Sequence, residues 1–340
     1  MPQRIVVIGA SSGGLDALRA LLLELPEDFA APVFIVLHIA PNSPGILAEI
    51  LGRSSSLPVV APKDGERIQE KRVYVASPDR HMLIEPGIIR LTRGPKENRF
   101  RPAIDPLFRS AAQVYGPGVI GVILTGGLDD GTAGLWAIQQ LGGTTIVQDP
   151  EDALVPSMPR SALEHVDVDH VLRLNEIPNQ LTELVNGSVR SKSQFEVPEE
   201  MTIEIKIAKE DFAMEAGVFK LGEPSVFACP ECHGVLLKMI EGKRTRFRCH
   251  TGHAFSVDSL LVGITEGIGE TLWSAIRAME EGVLLMRHMA DHLSEAEDKE
   301  TARLFREKAE EAQRRADLVR HAVMEHEELS RERVTEEASA

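Results

Sequence analysis

Over the first 185 positions, short uninterrupted apolar runs alternate with stretches in which apolar residues recur every three or four places. The runs at 5–8, 33–37, 73–76, 82–84, 119–124 and 144–147 predict strands, and the periodic stretches at 15–24, 44–51, 105–115, 131–141, 159–164 and 175–185 predict helices. A strand that is apolar at every position needs cover on both faces, which a parallel sheet with crossover helices provides. The pattern therefore predicts an α/β domain over 1–185, doubly wound, with a mostly parallel sheet and helices on both faces. The stretch 59–92 is punctuated by Gly and Pro and predicts antiparallel edge strands or a hairpin.

Beyond that domain the pattern changes. Residues 186–225 begin with the polar segment "NGSVRSKSQFEVPEE" and read as a linker. Within it Met201, Ile203, Ile205 and Ile207 alternate as one more strand would, with no partner strand in view. Residues 226–256 form a compact module. From 257 to 333 two long stripes at helical spacing follow, Leu260 through Leu293 and Phe305 through Val323, separated by a charged break at 294–300. They predict a helical hairpin.

Composition narrows the partners. A formal net charge of −15 argues against nucleic acid or an anionic membrane as the main partner. No apolar run approaches the roughly eighteen residues of a membrane helix, and the N-terminal run is too short for a signal core. The chain reads as soluble and cytoplasmic, without membrane insertion; its oligomeric state stays open.

The candidate chemistry gathers where strands end. "IGASSGGL" at 8–15 holds Gly9-x-Ser11-x-Gly13 between a predicted strand and a predicted helix, the setting of a nucleophile turn. A plain turn with Ser12 as helix cap, or an anion cradle, competes with that reading. His38 ends the run "FIVLHIAP", and Asp129 and Asp130 follow the strand of "VILTGGLDDGTAGL"; Asp149 and Asp79 are rival acids. In a parallel sheet all carboxyl ends lie along one edge, so a hydroxyl, an imidazole and a carboxylate would converge in one crevice. That trio suits acyl transfer.

The C-terminal module has its own signature. The chain's three cysteines fall in "CPEC" at 229–232 and "CHTGH" at 249–253, giving Cys-x2-Cys, a sixteen-residue gap and Cys-x3-His. Two short knuckles of soft and borderline ligands predict a zinc-ribbon-like module with a structural Zn2+ on Cys229, Cys232, Cys249 and His253. His250 and His233 are rivals for the fourth position. With four protein ligands the ion would stabilise folding and leave no position for water activation.

The stretches "IGASSGGLDAL" at 8–18, "VLHIAP" at 36–41, "RPAIDPLFRSAA" at 101–112, "GVILTGGLDDGTAG" at 121–134 and "MPRSA" at 158–162 occur in one order, and in that order they resemble the catalytic domain of the chemotaxis protein-glutamate methylesterase (CheB-type) family. The resemblance implies a Ser-His-Asp triad on Ser11, His38 and Asp130, the aspartate directly before the Gly-Thr that opens the next helix. It implies hydrolysis of glutamate γ-methyl esters on chemoreceptor helices, with glutamine deamidation by the same chemistry and no cofactor for catalysis. Oxyanion donors are expected among the amides near Ser12 and around Gly126–Gly127. Where the family reads Thr-Gly-Met-Gly, this chain has Thr125-Gly126-Gly127-Leu128. Family members also carry a receiver domain ahead of the esterase, whereas this sequence starts at the first strand, so control by phosphorylation within one chain is not expected and a separate regulator or kinase is an expected partner. A "CP-C…RCH-GHAFS" module followed by such helices occurs in some relatives, with no activity assigned to it.

Overall fold

The structure, a computed structural model, describes residues 2–189, 195–210, 212–242, 244–326 and 329. They fall into two compact units, residues 1–260 and 261–340.

The first unit is built on alternating strands and helices: β1 (Ile5–Ala10), α1 (Gly14–Glu24), β2 (Val33–Leu37), α2 (Leu47–Gly52), β3 (Val59–Val60), β4 (Val73–Val75), the hairpin β5 (His81–Glu85) and β6 (Ile88–Thr92), α3 (Ile104–Tyr115), β7 (Val119–Ile123), α4 (Thr132–Gln140), β8 (Thr144–Gln148), α5 (Ser157–His165), β9 (His170–Leu172) and α6 (Ile177–Asn186). Seven of the strands form a parallel sheet in the order β3-β4-β2-β1-β7-β8-β9. Alternate strand residues enter opposite cores, except in the edge strand β9, where Val171 is exposed. Ile5, Val7, Phe34, Val36, Val119 and Val147 pack with Phe108 of α3, Leu135 of α4 and Met158 of α5. Val6, Ile8, Val33, Ile35, Ile120 and Ile146 pack with Leu18 and Leu21 of α1, Leu51 of α2 and Leu181 of α6. The strands are apolar throughout because both faces are covered, as the pattern predicts. Strand order reverses between β1 and β7, so the crevice beyond their carboxyl ends is the topological switch point.

Residues expected as a linker instead contain two helices, α7 (Glu199–Ala208) and α8 (Ala213–Ala216); residues 190–194 and 211 lie outside the described set. The alternation of Met201, Ile203, Ile205 and Ile207 comes from a helix buried on two flanks. Met201 and Ile205 enter the sheet-side core, while Ile203 and Ile207 enter a separate cluster with Val218, Leu237 and Met239. A helix covered on both sides loses the single apolar stripe by which sequence reveals it.

An antiparallel sheet of β10 (Glu223–Ala228), β11 (Val235–Glu241), β12 (Arg244–Cys249) and β13 (Ala254–Ser256) completes this unit. A buried ion cluster lies between it and α3. Arg109, Arg246 and Arg248 surround Glu97 and Glu204, with Arg248 Nη2 3.2 Å from Glu97 Oε1 and Arg246 Nη2 2.9 Å from Glu204 Oε1. Burial opposes ionisation of both glutamates, yet the guanidiniums hold Glu97 below, and Glu204 well below, the usual carboxylate range. Arg248→Ala would leave two buried carboxylates with a missing counter-charge. We expect a loss of about 3–5 kcal/mol in urea unfolding, against under about 1 kcal/mol for Arg303→Ala on the exposed Arg303–Glu307 pair.

The second unit takes in α9 (Val257–Glu295) from residue 261 and α10 (Lys299–Met324). Ile276, Val283 and Ala290 on one helix and Ala302, Ala309, Ala316 and Val323 on the other are buried and recur every seven residues, which lets two helices pack closely along their length. Arg306 pairs with Asp291, and Arg320 with Glu280, which sets the helices antiparallel. Residues 327, 328 and 330–333 of the expected hairpin lie outside the described set. Among the described residues no helix is long and apolar enough to cross a membrane.

Candidate active site

Each sheet strand that borders the switch point delivers one functional side chain. β1 ends at Ala10, and Ser11 is the next residue. Its N–H donates to Thr125 O at 3.0 Å, tying the turn to the exit of β7. Gly13 has φ +76°, a left-handed conformation that a side chain would strain, and it serves as N-cap of α1 with no side-chain cap bond. Ser12 therefore does not cap the helix. A Cβ on Gly126 would overlap Met158 Sδ and crowd Ser11 Cβ, so the bare backbone there lets the β7 loop close on the serine.

His38, directly after β2, links the other two groups. Its Nδ1 is 3.1 Å from Ser11 Oγ, and its Nε2 is 2.8 Å from Asp130 Oδ2. The imidazole is stacked on the Phe100 ring, with centroids 3.7 Å apart and planes 8° from parallel. Asp130, 1% exposed, accepts at Oδ2 from the Ile104 N–H (2.7 Å) and at Oδ1 from Asn98 Nδ2 (2.9 Å). Burial alone would raise the Asp130 carboxyl. The hydrogen bond and charge of His38, then the Ile104 and Asn98 donors, outweigh burial and keep it below the ordinary carboxylate range. An ionised Asp130 accepts the proton on Nε2, which leaves the Nδ1 lone pair facing the serine hydroxyl. That is the tautomer a general base needs.

Of the two adjacent aspartates, the structure brings Asp130 to the imidazole and turns Asp129 elsewhere. Asp129 Oδ1 accepts from Ser256 Oγ at 2.7 Å, and burial pushes its carboxyl up to about 7. Asp79 is held by Arg101 and Arg93, and Asp149 accepts from the Glu151 N–H in its own loop. Among the expected oxyanion donors, the Gly126 N–H is already committed to Val155 O at 2.9 Å.

Sequence reasoning passed over three residues of this site. Phe100, Asn98 and Asp105 lie in or next to a loop without periodicity; Asp105, at the start of α3, accepts from Asn98 Nδ2 at 3.0 Å and from the Gly134 N–H at 2.6 Å. The available signal was "RPAIDPLFRSAA", which marks the likeness but gives no role to the residues just before it.

The four predicted ligands of the C-terminal module also meet. One ligand atom from each of Cys229, Cys232, Cys249 and His253 lies within 4.8 Å of all the others. The Cys232–Cys249 sulfurs are 3.7 Å apart, and His253 Nδ1 is 3.7 Å from Cys229 Sγ and 3.5 Å from Cys249 Sγ. Bonds of about 2.3 Å at tetrahedral angles put neighbouring sulfurs about 3.8 Å apart, which the three separations above match. The backbone knuckles are closed by Cys229 N–H to Gly234 O and Cys249 N–H to His253 O. His250 instead packs its ring against Gly234, and His233 has φ +61° at the knuckle; neither joins the cluster. This Cys3His cluster can hold a metal ion.

A doubly wound sheet with Ser, His and Asp in hydrogen-bonded line at its switch point has the arrangement of a serine hydrolase. The sequence model of CheB methylesterase matches residues 6–181, and the chain belongs to the CheB methylesterase family. It is 44% identical over 180 residues to the protein-glutamate methylesterase/protein-glutamine glutaminase 2 of Anaeromyxobacter dehalogenans, over 53% of either chain. A relative in Leptospira interrogans is 39% identical over 193 residues, 56% of this chain and 100% of that one. The crystal structure of the Thermotoga maritima CheB methylesterase catalytic domain is similar at 38% identity and a TM-score of 0.51, over 53% of this chain and 98% of that one. The chain thus spans about half the length of the Anaeromyxobacter relative and all of the Leptospira one.

Proposed function

We propose that the protein hydrolyses glutamate γ-methyl esters on chemoreceptor helices, in the cytoplasm, with Ser11, His38 and Asp130 as its catalytic residues. The observation that carries this reading is the unbroken line from Ser11 Oγ through both nitrogens of His38 to Asp130 Oδ2. As Ser11 Oγ attacks the ester carbonyl, His38 Nδ1 takes its proton, and Asp130 stabilises the imidazolium through Nε2–H. The tetrahedral adduct collapses with His38 returning the proton to the methoxide oxygen, so methanol leaves and a glutamyl ester of Ser11 remains. Water, deprotonated by His38, then attacks that ester; the proton goes back to Ser11 and the glutamate is freed. A glutamine amide follows the same course with ammonia leaving. The test is release of labelled methanol from methyl-esterified receptor by the full chain. A protein that only binds receptor helices would release none.

The reading extends to the module: Cys229, Cys232, Cys249 and His253 hold a structural Zn2+. Two knuckles joined through one ion tie the β10–β11 turn to the β12–β13 turn, so the ion holds the two ends of the sheet together. Elemental analysis of purified protein is expected to find one zinc per chain, and Cys249→Ser to lose it together with several kcal/mol of stability. Stoichiometric zinc retained in that variant would refute the ligand set.

A further inference from the structure

We propose that Asn98 is a positioning residue for the triad's acid, and that Ser256 and Ser259, around the first turn of α9, hold Asn98 in the orientation this requires. The inference rests on the esterase reading and goes beyond it, because these serines lie outside the residues 6–181 matched by the family.

Asn98 is 4% exposed, and every polar atom of its side chain is engaged. Nδ2 donates one hydrogen to Asp130 Oδ1 (2.9 Å) and the other to Asp105 Oδ2 (3.0 Å). Oδ1 accepts from the Ser256 N–H (3.0 Å) and the Ser259 hydroxyl (3.3 Å). A flipped amide would set its oxygen against two carboxylate oxygens and its NH2 against the Ser256 N–H. The two carboxylates on one side and the serines on the other together fix which end of Asn98 faces Asp130.

The loop backbone is held from the same side. Asn98 N–H donates to Ala254 O at 2.8 Å, and Ala254 N–H donates to Lys96 O at 3.2 Å, so residues 96–98 pair with β13. Asn98 and Arg99 have φ of +48° and +74°, left-handed conformations uncommon for residues with a side chain, more so for Arg than for Asn. Ser256 Oγ, donating to Asp129, ties the neighbouring residue of the acid's own loop to the same point.

The consequence for the chemistry is geometric. Asp130 presents Oδ2 to His38 only if its carboxylate plane is fixed, and Asn98 fixes it by holding Oδ1. The line of contacts runs Ser11, His38, Asp130, Asn98, Ser256 and Ser259, ending in the first turn of α9.

The test uses the full chain with a fluorophosphonate serine probe and p-nitrophenyl acetate. Probe stoichiometry counts the competent Ser11 sites, and hydrolysis is then expressed per labelled site. For Asn98→Ala we expect kcat per site to fall about tenfold to a hundredfold with KM within twofold, the scale of a small misplacement of a catalytic group. Ser259→Ala, which keeps Asn98 but removes one of the donors to its oxygen, should fall severalfold. A merely structural role would reduce the number of labelled sites and leave the rate per site as in wild type; that result in both variants overturns the proposal. If Asn98→Ala does not fold, Ser259→Ala decides alone. Wild-type protein that takes no label and hydrolyses no ester would overturn the esterase reading itself, and this proposal with it, a failure distinct from unchanged variants of an active wild type.

Discussion

Ser11→Ala should reduce ester hydrolysis by a factor on the order of 10^5–10^6 in kcat, the loss seen when a serine nucleophile is removed from an intact triad. The expectation follows from the absence of a substitute on the Ser11 side of His38. Among the described residues Nδ1 hydrogen-bonds Ser11 Oγ alone, at 3.1 Å, and the carbonyl of the neighbouring Ser12 accepts from the Thr125 hydroxyl. Removing one oxygen from a half-buried turn leaves the backbone anchor from Ser11 N–H to Thr125 O in place, so thermal unfolding should change little. Methanol release from methylated receptor and turnover of a small ester measure the loss together. A variant retaining more than about a hundredth of wild-type turnover would sink the acyl-enzyme mechanism, and Ser12→Ala serves as the control expected to stay near wild type.

The sheet and the positions of Ser11 and His38 are legible in the sequence for one physical reason. Ser11 and His38 follow strands buried on both faces, whose ends are marked by the return of polar and Gly residues. The acid was harder. Asp129 and Asp130 sit in one turn after β7, and single-residue differences in a turn reverse where a side chain goes: one carboxylate reaches His38, the other reaches Ser256. Only the family resemblance separated them. The Cys-x2-Cys and Cys-x3-His spacing marked the ligand cluster, because ligands close in sequence can meet only at short range.

What was not legible comes from pairing between distant segments. Arg244, Arg246 and Arg248 alternate along β12 in a way that ordinarily marks a solvent face, yet all three are under a tenth exposed. Arg244 and Arg246 have a near partner in Glu241, but Glu97 and Glu204, which Arg246 and Arg248 also meet, are remote in sequence, and no local rule reveals a counter-charge more than forty residues away. The same holds for α7. Its apolar residues alternate because one flank meets the parallel-sheet core and the other meets β11, two surfaces that exist only once the chain has folded. The buried ion cluster and Asn98 lie side by side in the loop 96–101, so the segment that anchors the module also carries the support of the acid.

That arrangement makes Asp130→Asn the sharpest test of the triad, with kcat expected to fall by about 10^3–10^4 and KM to hold. The carboxylate is ringed by donors: His38 Nε2 and the Ile104 N–H at Oδ2, and Asn98 Nδ2 with the more distant Asp105 N–H at Oδ1. An amide offers one acceptor where the site needs two. If the new NH2 takes the Oδ2 position, it opposes the Ile104 N–H and donates to His38 Nε2, which moves the imidazole proton to Nδ1 and leaves no lone pair for the serine. If it takes the Oδ1 position, it meets the NH2 of Asn98, which cannot turn without setting its own NH2 against the Ser256 N–H and its oxygen against Asp105. The first orientation confronts one backbone donor, the second a side chain anchored at both ends, so the first is favoured and the base is lost. Serine-probe labelling rates should fall in parallel with turnover, because both need Nδ1 to accept the proton. Asp129→Asn, whose carboxyl faces Ser256, should leave labelling within about tenfold of wild type. Equal losses in the two variants would show that the acid limb had been assigned to the wrong residue.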